Sequence, residues 1–241
     1  MATSAPCEKE LFEYTRGRFL LDEASQMARR RVHFNMSELA SVAAKSVGAK
    51  QCVDIEKCPD GLFNKAYILT MDSGKQVIGK VPNPNAGIPY YTIASEVATM
   101  DFARNVLGTP TPHVYAWDGC RSGVGSNSVG AEFIIMERVP GVSLASLWWK
   151  LELGEKLKIL LQVASFQKRW VEVQFTKFGS LYFAESTSFR GGESQMGVVG
   201  NPRFVIGPAV GREWSDEGRQ NVQCDRGPWD SIVSYRKAIA L

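Results

Sequence analysis

The sequence predicts an α+β fold, in which a five-stranded antiparallel sheet with one helix is followed by a mainly helical region. Three observations predict it. Alternating apolar and polar residues mark three short strands joined by tight turns, a helical pattern and two more strands follow, and apolar residues beyond residue 141 recur at helical spacing. Strands joined by short loops pair antiparallel, because parallel neighbours need a long crossover.

The strands and the main helix can be placed from the pattern alone. Strands are predicted at 52–57, 66–71, 76–81, 113–117 and 131–136, with a helix from about 92 to 105 between the third and the fourth. These elements divide the chain into an N-terminal helical extension (1–50), a lobe that contains the sheet (51–137), a hinge (138–141) and a partial helical lobe (142–241) with a long insertion at about 180–230.

Composition is that of an ordinary globular protein. The 241 residues are 44% hydrophobic and 22% charged, with a formal net charge of +3. Basic and acidic residues are interspersed, so we expect neither nucleic acid nor an anionic membrane as a partner, and no apolar stretch is long enough to span a membrane. The longest basic run, Arg29-Arg30-Arg31, lies in a helical pattern and predicts a solvated helix face; a contact patch is the alternative.

Cysteine and histidine usage gives no metal site. Five cysteines without a CxxC motif and two histidines form no zinc-ligand pattern, so we expect reduced thiols. The first 13 residues contain three glutamates and one lysine. They therefore resemble neither an apolar secretory signal nor an Arg-rich mitochondrial transit peptide.

Lys80 and Glu96 carry the strongest chemical signal. Lys80 lies between apolar residues on a predicted central strand, and its ammonium needs a polar partner because an unpaired buried charge is costly. Glu96 follows on the predicted helix, on the same face as Ile93 and Met100. We therefore predict a Lys80–Glu96 ion pair. A nucleotide site is the favoured interpretation; an ion pair that only joins helix to sheet is the alternative.

The segment Asp60–Lys65 between the first two strands is a candidate phosphate-binding loop. Gly61 permits a close approach of the backbone to a phosphate, and Asn64 follows it three residues later. One glycine without a GxGxxG motif is also what a plain hairpin turn requires, so that interpretation stays open.

The apolar strand that ends near residue 137 runs into a short polar connection. Such a hinge can present backbone C=O and N–H groups to the edge of an adenine, and Glu137 and Val139 are the candidates by position. A simple linker between two lobes is the alternative.

In combination these segments resemble the aminoglycoside phosphotransferase-like kinase family, which has a protein-kinase-like fold. The segments that carry the resemblance are Gly61-x-x-Asn64, the strand ending in Lys80, Ala94–Ala98, Thr111–Val114 and Met136–Gly141. More narrowly, residues 12–19, 95–100, 179–182 and 225–229 resemble the fungal branch that contains altered inheritance of mitochondria protein 9. The resemblance implies an ATP-side small lobe, the start of a large lobe, and a mitochondrial location; with no visible transit peptide, the cytoplasm is the alternative.

The resemblance further implies Mg-ATP as cofactor and phosphoryl transfer to a small molecule of unknown identity. That reaction uses an aspartate in an H-x-D-x-x-x-x-N loop and a second aspartate on Mg²⁺. Both histidines, His33 and His113, precede the hinge, so no such loop follows it. We interpret Asp216, Asp225 and Asp230 as loop or helix-cap carboxylates, and we assign no catalytic residue and no metal ligand.

Two functions are therefore compatible with the sequence. The first is a nucleotide-binding phosphotransferase-family chain that is C-terminally truncated and catalytically incomplete, and the alternative is a non-catalytic scaffold or mitochondrial maintenance module. An incomplete large lobe would leave Trp148, Trp149 and the apolar stripe from Leu157 to Val171 uncovered. An uncovered face of this kind favours self-association.

Overall fold

The computed structural model describes residues 11–119, 127–186 and 197–240. These residues form an α+β fold with a five-stranded antiparallel sheet, which confirms the predicted fold class. The helices are α1 (Glu23–Ala28), α2 (Met36–Ser46), α3 (Tyr91–Asp101), α4 (Leu144–Leu147), α5 (Leu153–Val171) and α6 (Ile232–Ala240). The strands are β1 (Cys52–Lys57), β2 (Asn64–Met71), β3 (Gln76–Pro82), β4 (Val114–Asp118), β5 (Phe133–Glu137), β6 (Ser180–Phe183) and β7 (Phe204–Gly207).

The five-stranded sheet has the order β1-β2-β3-β5-β4, and every neighbouring pair is antiparallel. Successive residues of a strand point to opposite sides, which separates a fully buried face from a half-buried face. The buried face of β2 and β3 carries Tyr67, Leu69 and Val77. Lys80 lies on the half-buried face, directly opposite Ala66 of β2. The five predicted strands are thus present, with small shifts at their ends.

Helix α2 covers the buried face of the sheet. Asn35 caps it by accepting a hydrogen bond from the Glu38 N–H. Leu39 and Ala43 then pack into the main hydrophobic core against the strands. In the described part of the predicted helical extension, irregular segments at 13–22 and 29–35 flank the short helix α1, so this region is less helical than predicted.

Helix α3 is packed on two sides, and this arrangement positions the candidate site. On one side, Ile93 contacts Ile134 of the sheet. On the other side, Ala98 contacts Phe204 of the antiparallel β6–β7 hairpin. This hairpin lies within the region predicted as a long insertion, and its four-residue strands were too short to be recognised from the sequence pattern. A π-helical turn, Phe102–Val106, continues α3.

Helix α5 is apolar along one stripe but contains no buried residue within the described structure. Leu161 is 70% exposed, and Leu157 and Leu160 are exposed as well. Trp149, just before the helix, is 88% exposed. The face that the sequence identified as apolar is therefore open among the described residues. No helix in the described part of the chain is long and apolar enough to cross a membrane.

Candidate functional site

Lys80 and Glu96 are in contact where β3 passes beneath α3. The Lys80 ammonium donates a hydrogen bond to Glu96 Oε1, so the predicted ion pair is present. The Lys80 side chain is 14% exposed and the Glu96 side chain 34%. The Lys80 side chain is thus mostly buried, and the Glu96 carboxylate fixes the position of its ammonium group.

The position of Glu96 follows from the packing of α3. Ile93, Ala94, Val97 and Ala98 of this helix are buried against the sheet or the β6–β7 hairpin. Glu96 lies on the part of the helix circumference that neither layer covers, and it faces Lys80. The β6–β7 hairpin packs against the other side of α3 and so supports the helix that carries Glu96.

A row of apolar side chains lies on the same half-buried face of the sheet as Lys80. Ile68 of β2, Ile78 of β3 and Met136 of β5 are direct neighbours across the strands, and Ala66 is opposite Lys80. All four are partly exposed. The face thus combines a flat apolar surface with an ammonium group at its edge, which suits a ligand that has an aromatic ring and an anionic group.

The β1–β2 loop brings Gly61 and Asn64 together in a tight turn. The Gly61 N–H donates to the Asn64 carbonyl oxygen at 3.2 Å, and Asn64 pairs with Pro82 as the first residue of β2. The preceding side chain, Asp60, points inward and is almost fully buried. The loop is therefore anchored from beneath, a feature that the sequence does not reveal.

Asp60 is the centre of a buried polar cluster. Its carboxylate accepts hydrogen bonds from the N–H and hydroxyl of Thr15 at 2.8 and 2.9 Å, and from the ammonium groups of Lys57 at 2.9 Å and Lys65 at 3.4 Å. Burial alone would raise the pKa of Asp60, but these hydrogen bonds and the charge of Lys65 outweigh it and lower the pKa. Burial lowers the pKa of Lys65 in spite of Asp60.

At the hinge, the side chain of Glu137 is committed to the protein. Its carboxylate accepts hydrogen bonds from the His113 N–H at 3.0 Å and from Arg104 at 3.2 Å, and its own N–H donates to the His113 carbonyl at 2.8 Å. The carboxylate and the backbone N–H of Glu137 are thus both engaged within the protein, and the assignment of Glu137 to adenine recognition stays a prediction. Val139 is 58% exposed on the hinge.

The three late aspartates have structural partners. Asp225 accepts hydrogen bonds from the Gly227 N–H and the Trp229 indole, Asp216 pairs with Arg212, and Asp230 pairs with Lys177. Within the described chain, no group of three metal-ligating side chains occurs. Cys52, Cys58 and Cys224 are free thiols, whereas Cys7 and Cys120 lie outside the described residues.

Two charged groups, one partly and one almost fully buried, were missed by sequence reasoning. Glu132, just before β5, accepts a hydrogen bond from the N–H of Tyr90, a residue held at φ +65°. Burial, with a smaller contribution from the charge of Asp118, raises the pKa of Glu132 to about 7 in spite of this bond. Arg30 is also buried, against the ring of Phe19, so the basic run is not simply a solvated helix face as predicted.

Comparison with known proteins identifies fungal relatives. The chain is 42% identical over 177 residues to a subtelomeric hrmA-associated cluster protein of Aspergillus fumigatus, an alignment that covers 73% of this chain and 33% of that protein. It is 26% identical over 264 residues to altered inheritance of mitochondria protein 9, mitochondrial, of Yarrowia lipolytica, which covers 98% of this chain and 44% of that protein. The protein of the same name in Debaryomyces hansenii is 33% identical over 178 residues, or 67% of this chain and 27% of that protein.

The chain is a relative of fungal altered inheritance of mitochondria protein 9. This confirms the narrower resemblance seen in the sequence. The chain spans between 27% and 44% of the length of these three relatives. None of their names states a phosphotransferase activity, and neither a family model nor a solved structure matches the chain. The aminoglycoside phosphotransferase-like assignment therefore stays a prediction.

Proposed function

We propose that this chain acts in the maintenance of fungal mitochondria, is located in the mitochondrion, and binds ATP on the half-buried face of its sheet. The mitochondrial role and location are supported by relatives whose names place them in mitochondria and in mitochondrial inheritance. The proposal that the chain binds ATP rests on one observation, the Lys80–Glu96 ion pair at the junction of β3 and α3. The mitochondrial role and ATP binding are independent of each other, because a mitochondrial scaffold needs no nucleotide.

The ion pair supports nucleotide binding because of what surrounds it. A carboxylate that holds a lysine at the edge of an apolar sheet face is the arrangement with which kinase-fold enzymes direct an ammonium toward nucleotide phosphates. In this proposal Ile78 and Met136 offer an apolar surface to the adenine ring, and the carbonyl of Glu137 and the backbone of Val139 contact its polar edge. Gly61 and Asn64 place the β1–β2 loop next to the phosphates in this proposal.

The residues fit the nucleotide better than they fit its metal ion. Lys80 supplies a cation for phosphate oxygens, whereas the described residues contain no cluster of three carboxylate, histidine or cysteine side chains for Mg²⁺. Glu96 is engaged with Lys80. When bound, ATP would supply a transferable γ-phosphoryl group, and a small molecule of unknown identity would be the acceptor. The role proposed for Lys80 and its surroundings is limited to binding and orienting the nucleotide.

Calorimetric titration of the 241-residue chain with ATP, with and without Mg²⁺, tests nucleotide binding. Lys80→Met should weaken binding about tenfold or more, because it removes a charge-assisted hydrogen bond to phosphate. Glu96→Gln should weaken it less, since the ammonium remains. Lys50→Met is the matched control, as Lys50 is exposed and lies away from the ion pair. No ATP binding by the unaltered chain, or equal binding by Lys80→Met, would refute this part.

The mitochondrial part is tested separately by microscopy. The gene that encodes this chain, tagged at its 3′ end in its native fungus, should give fluorescence that coincides with a mitochondrial marker. A purely cytosolic signal would contradict the proposed location. Because Lys80→Met should leave the location unchanged, a failure of ATP binding and a failure of localisation can be told apart.

A further inference from the structure

A cavity separate from the nucleotide face lies where α1, the β1–β2 loop, the segment after β3 and the segment after β7 meet. It has a volume of about 300 Å³, at the lower end of the range for small-molecule sites. Its lining brings together the guanidinium groups of Arg29, Arg30 and Arg212 and the carboxylate of Asp216. Neither Lys80 nor Glu96 contributes to it.

The charges in this cavity do not balance. Asp216 pairs with Arg212. In the described part of the chain, neither Arg29 nor Arg30 has a carboxylate within ion-pair distance. Burial lowers the pKa of Arg212, and the nearby charges of Arg29 and Arg30 lower it further. The cavity therefore has an excess of positive charge, which an anion would offset.

Arg212 is held firmly in this position. Its guanidinium donates hydrogen bonds to the carbonyl oxygens of Asn85 at 2.9 Å and Ala86 at 3.2 Å. It also lies 3.9 Å from the ring centre of Phe63 in the β1–β2 loop. An anion-binding arginine that is fixed beforehand loses little conformational entropy when the ligand arrives.

Two residues that line the cavity each carry a buried hydrogen-bond donor without a partner among the described residues. Arg30 is 7% and Ser215 4% exposed. In the described structure, the Nε of Arg30 and the hydroxyl of Ser215 make no hydrogen bond. Buried polar groups are nearly always paired in native proteins, since an unpaired donor costs free energy. Two unpaired donors beside an excess of positive charge point to a ligand with anionic oxygen acceptors.

A third unpaired group indicates which kind of anion the cavity binds. Asn85 also lines the cavity, and its Oδ1 is a buried acceptor without a donor among the described residues. Hydrogen phosphate offers both anionic oxygens for Arg30 and Ser215 and one P–O–H for Asn85, whereas sulfate has no proton to donate near pH 7. We propose that this cavity binds a phosphate group, either as inorganic phosphate or as part of a small phosphorylated molecule.

Calorimetric titration of the 241-residue chain with inorganic phosphate, at constant ionic strength in chloride, tests the proposal. Phosphate should bind, and sulfate should bind less tightly. Arg29→Gln should weaken phosphate binding about tenfold, and Ser215→Ala should also weaken it, because each removes a donor or charge from the cavity. Arg31→Gln is the matched control, as the neighbouring Arg31 is exposed and does not line the cavity.

Further titrations show whether the ligand is free phosphate or a phosphorylated molecule, and whether it binds in this cavity or on the nucleotide face. Glycerol 3-phosphate that binds more tightly than inorganic phosphate identifies a phosphorylated molecule as the ligand; the reverse order identifies free phosphate. Lys80→Met should leave phosphate binding unchanged. The proposal is overturned if phosphate does not bind, if Arg31→Gln weakens binding as much as Arg29→Gln, or if Lys80→Met abolishes it, since the anion would then occupy the nucleotide face.

Discussion

Replacing Glu132 by glutamine should stabilise the protein at alkaline pH and leave it nearly unchanged at acidic pH. Glu132 is partly buried and accepts a hydrogen bond from the N–H of Tyr90. Burial, together with Asp118, places its pKa at about 7 against an ordinary value of 4.5, in spite of that bond. The amide oxygen of glutamine can accept the same hydrogen bond, but it carries no charge to desolvate.

The sign and size of the effect follow from the pKa. A carboxyl group whose pKa is raised on folding binds more protons in the folded than in the unfolded protein, so its contribution is most favourable below about pH 4.5 and is lost as the pH rises through about 7. At about 1.4 kcal/mol per pKa unit, the difference between the pKa of about 7 and the ordinary value of 4.5 corresponds to about 3 kcal/mol. This is the upper bound on the stability that ionised Glu132 costs the folded protein. Residual hydration of Glu132 reduces this to about 1–2 kcal/mol at pH 8.

Thermal unfolding measured at several pH values checks this prediction. For a chain of this length we expect Glu132→Gln to raise the Tm by roughly 2–6 °C at pH 8 and to have little effect at pH 5. Glu56→Gln, on the exposed side of edge strand β1, is the control and should show no such pH dependence. The reasoning fails if Glu132→Gln changes the Tm equally at both pH values or lowers it at pH 8.

Two further predictions concern the Asp60 cluster and helix α5. Asp60→Asn should destabilise the protein by about 3 kcal/mol in urea unfolding, because it leaves the fully buried Lys65 ammonium without a carboxylate. The control Asp72→Asn, in an exposed turn, should have little effect. Equal losses of unfolding free energy in the two variants would contradict the prediction. The exposed apolar stripe of α5 should cause concentration-dependent self-association, measured by light scattering. Leu161→Glu should reduce this self-association, and the control Gln162→Glu should not. A protein that stays monomeric at all concentrations would contradict this prediction.

The parts of the fold that could be predicted from the sequence are those with a strong local period. The β2–β3 hairpin alternates strictly between buried and half-buried residues, so its strands and its turn could be read directly. Lys80 and Glu96 could be paired because a charge inside an apolar strand demands a partner, and the next helix offered one. By contrast, β6 and β7 are four residues each, too short for a periodic signal.

The local sequence thus determined the sheet, helix α3 and the ion pair between them. Tertiary structure alone decided the burial of Asp60, the burial of Arg30 and the cavity lined by Arg29, Arg30 and Arg212. The physical reason is distance along the chain: Thr15 reaches Asp60 across 45 residues, and Arg212 reaches Asn85 across 127. Such contacts depend on how the β6–β7 region and the N-terminal segment fold back onto the sheet, and no local pattern encodes them.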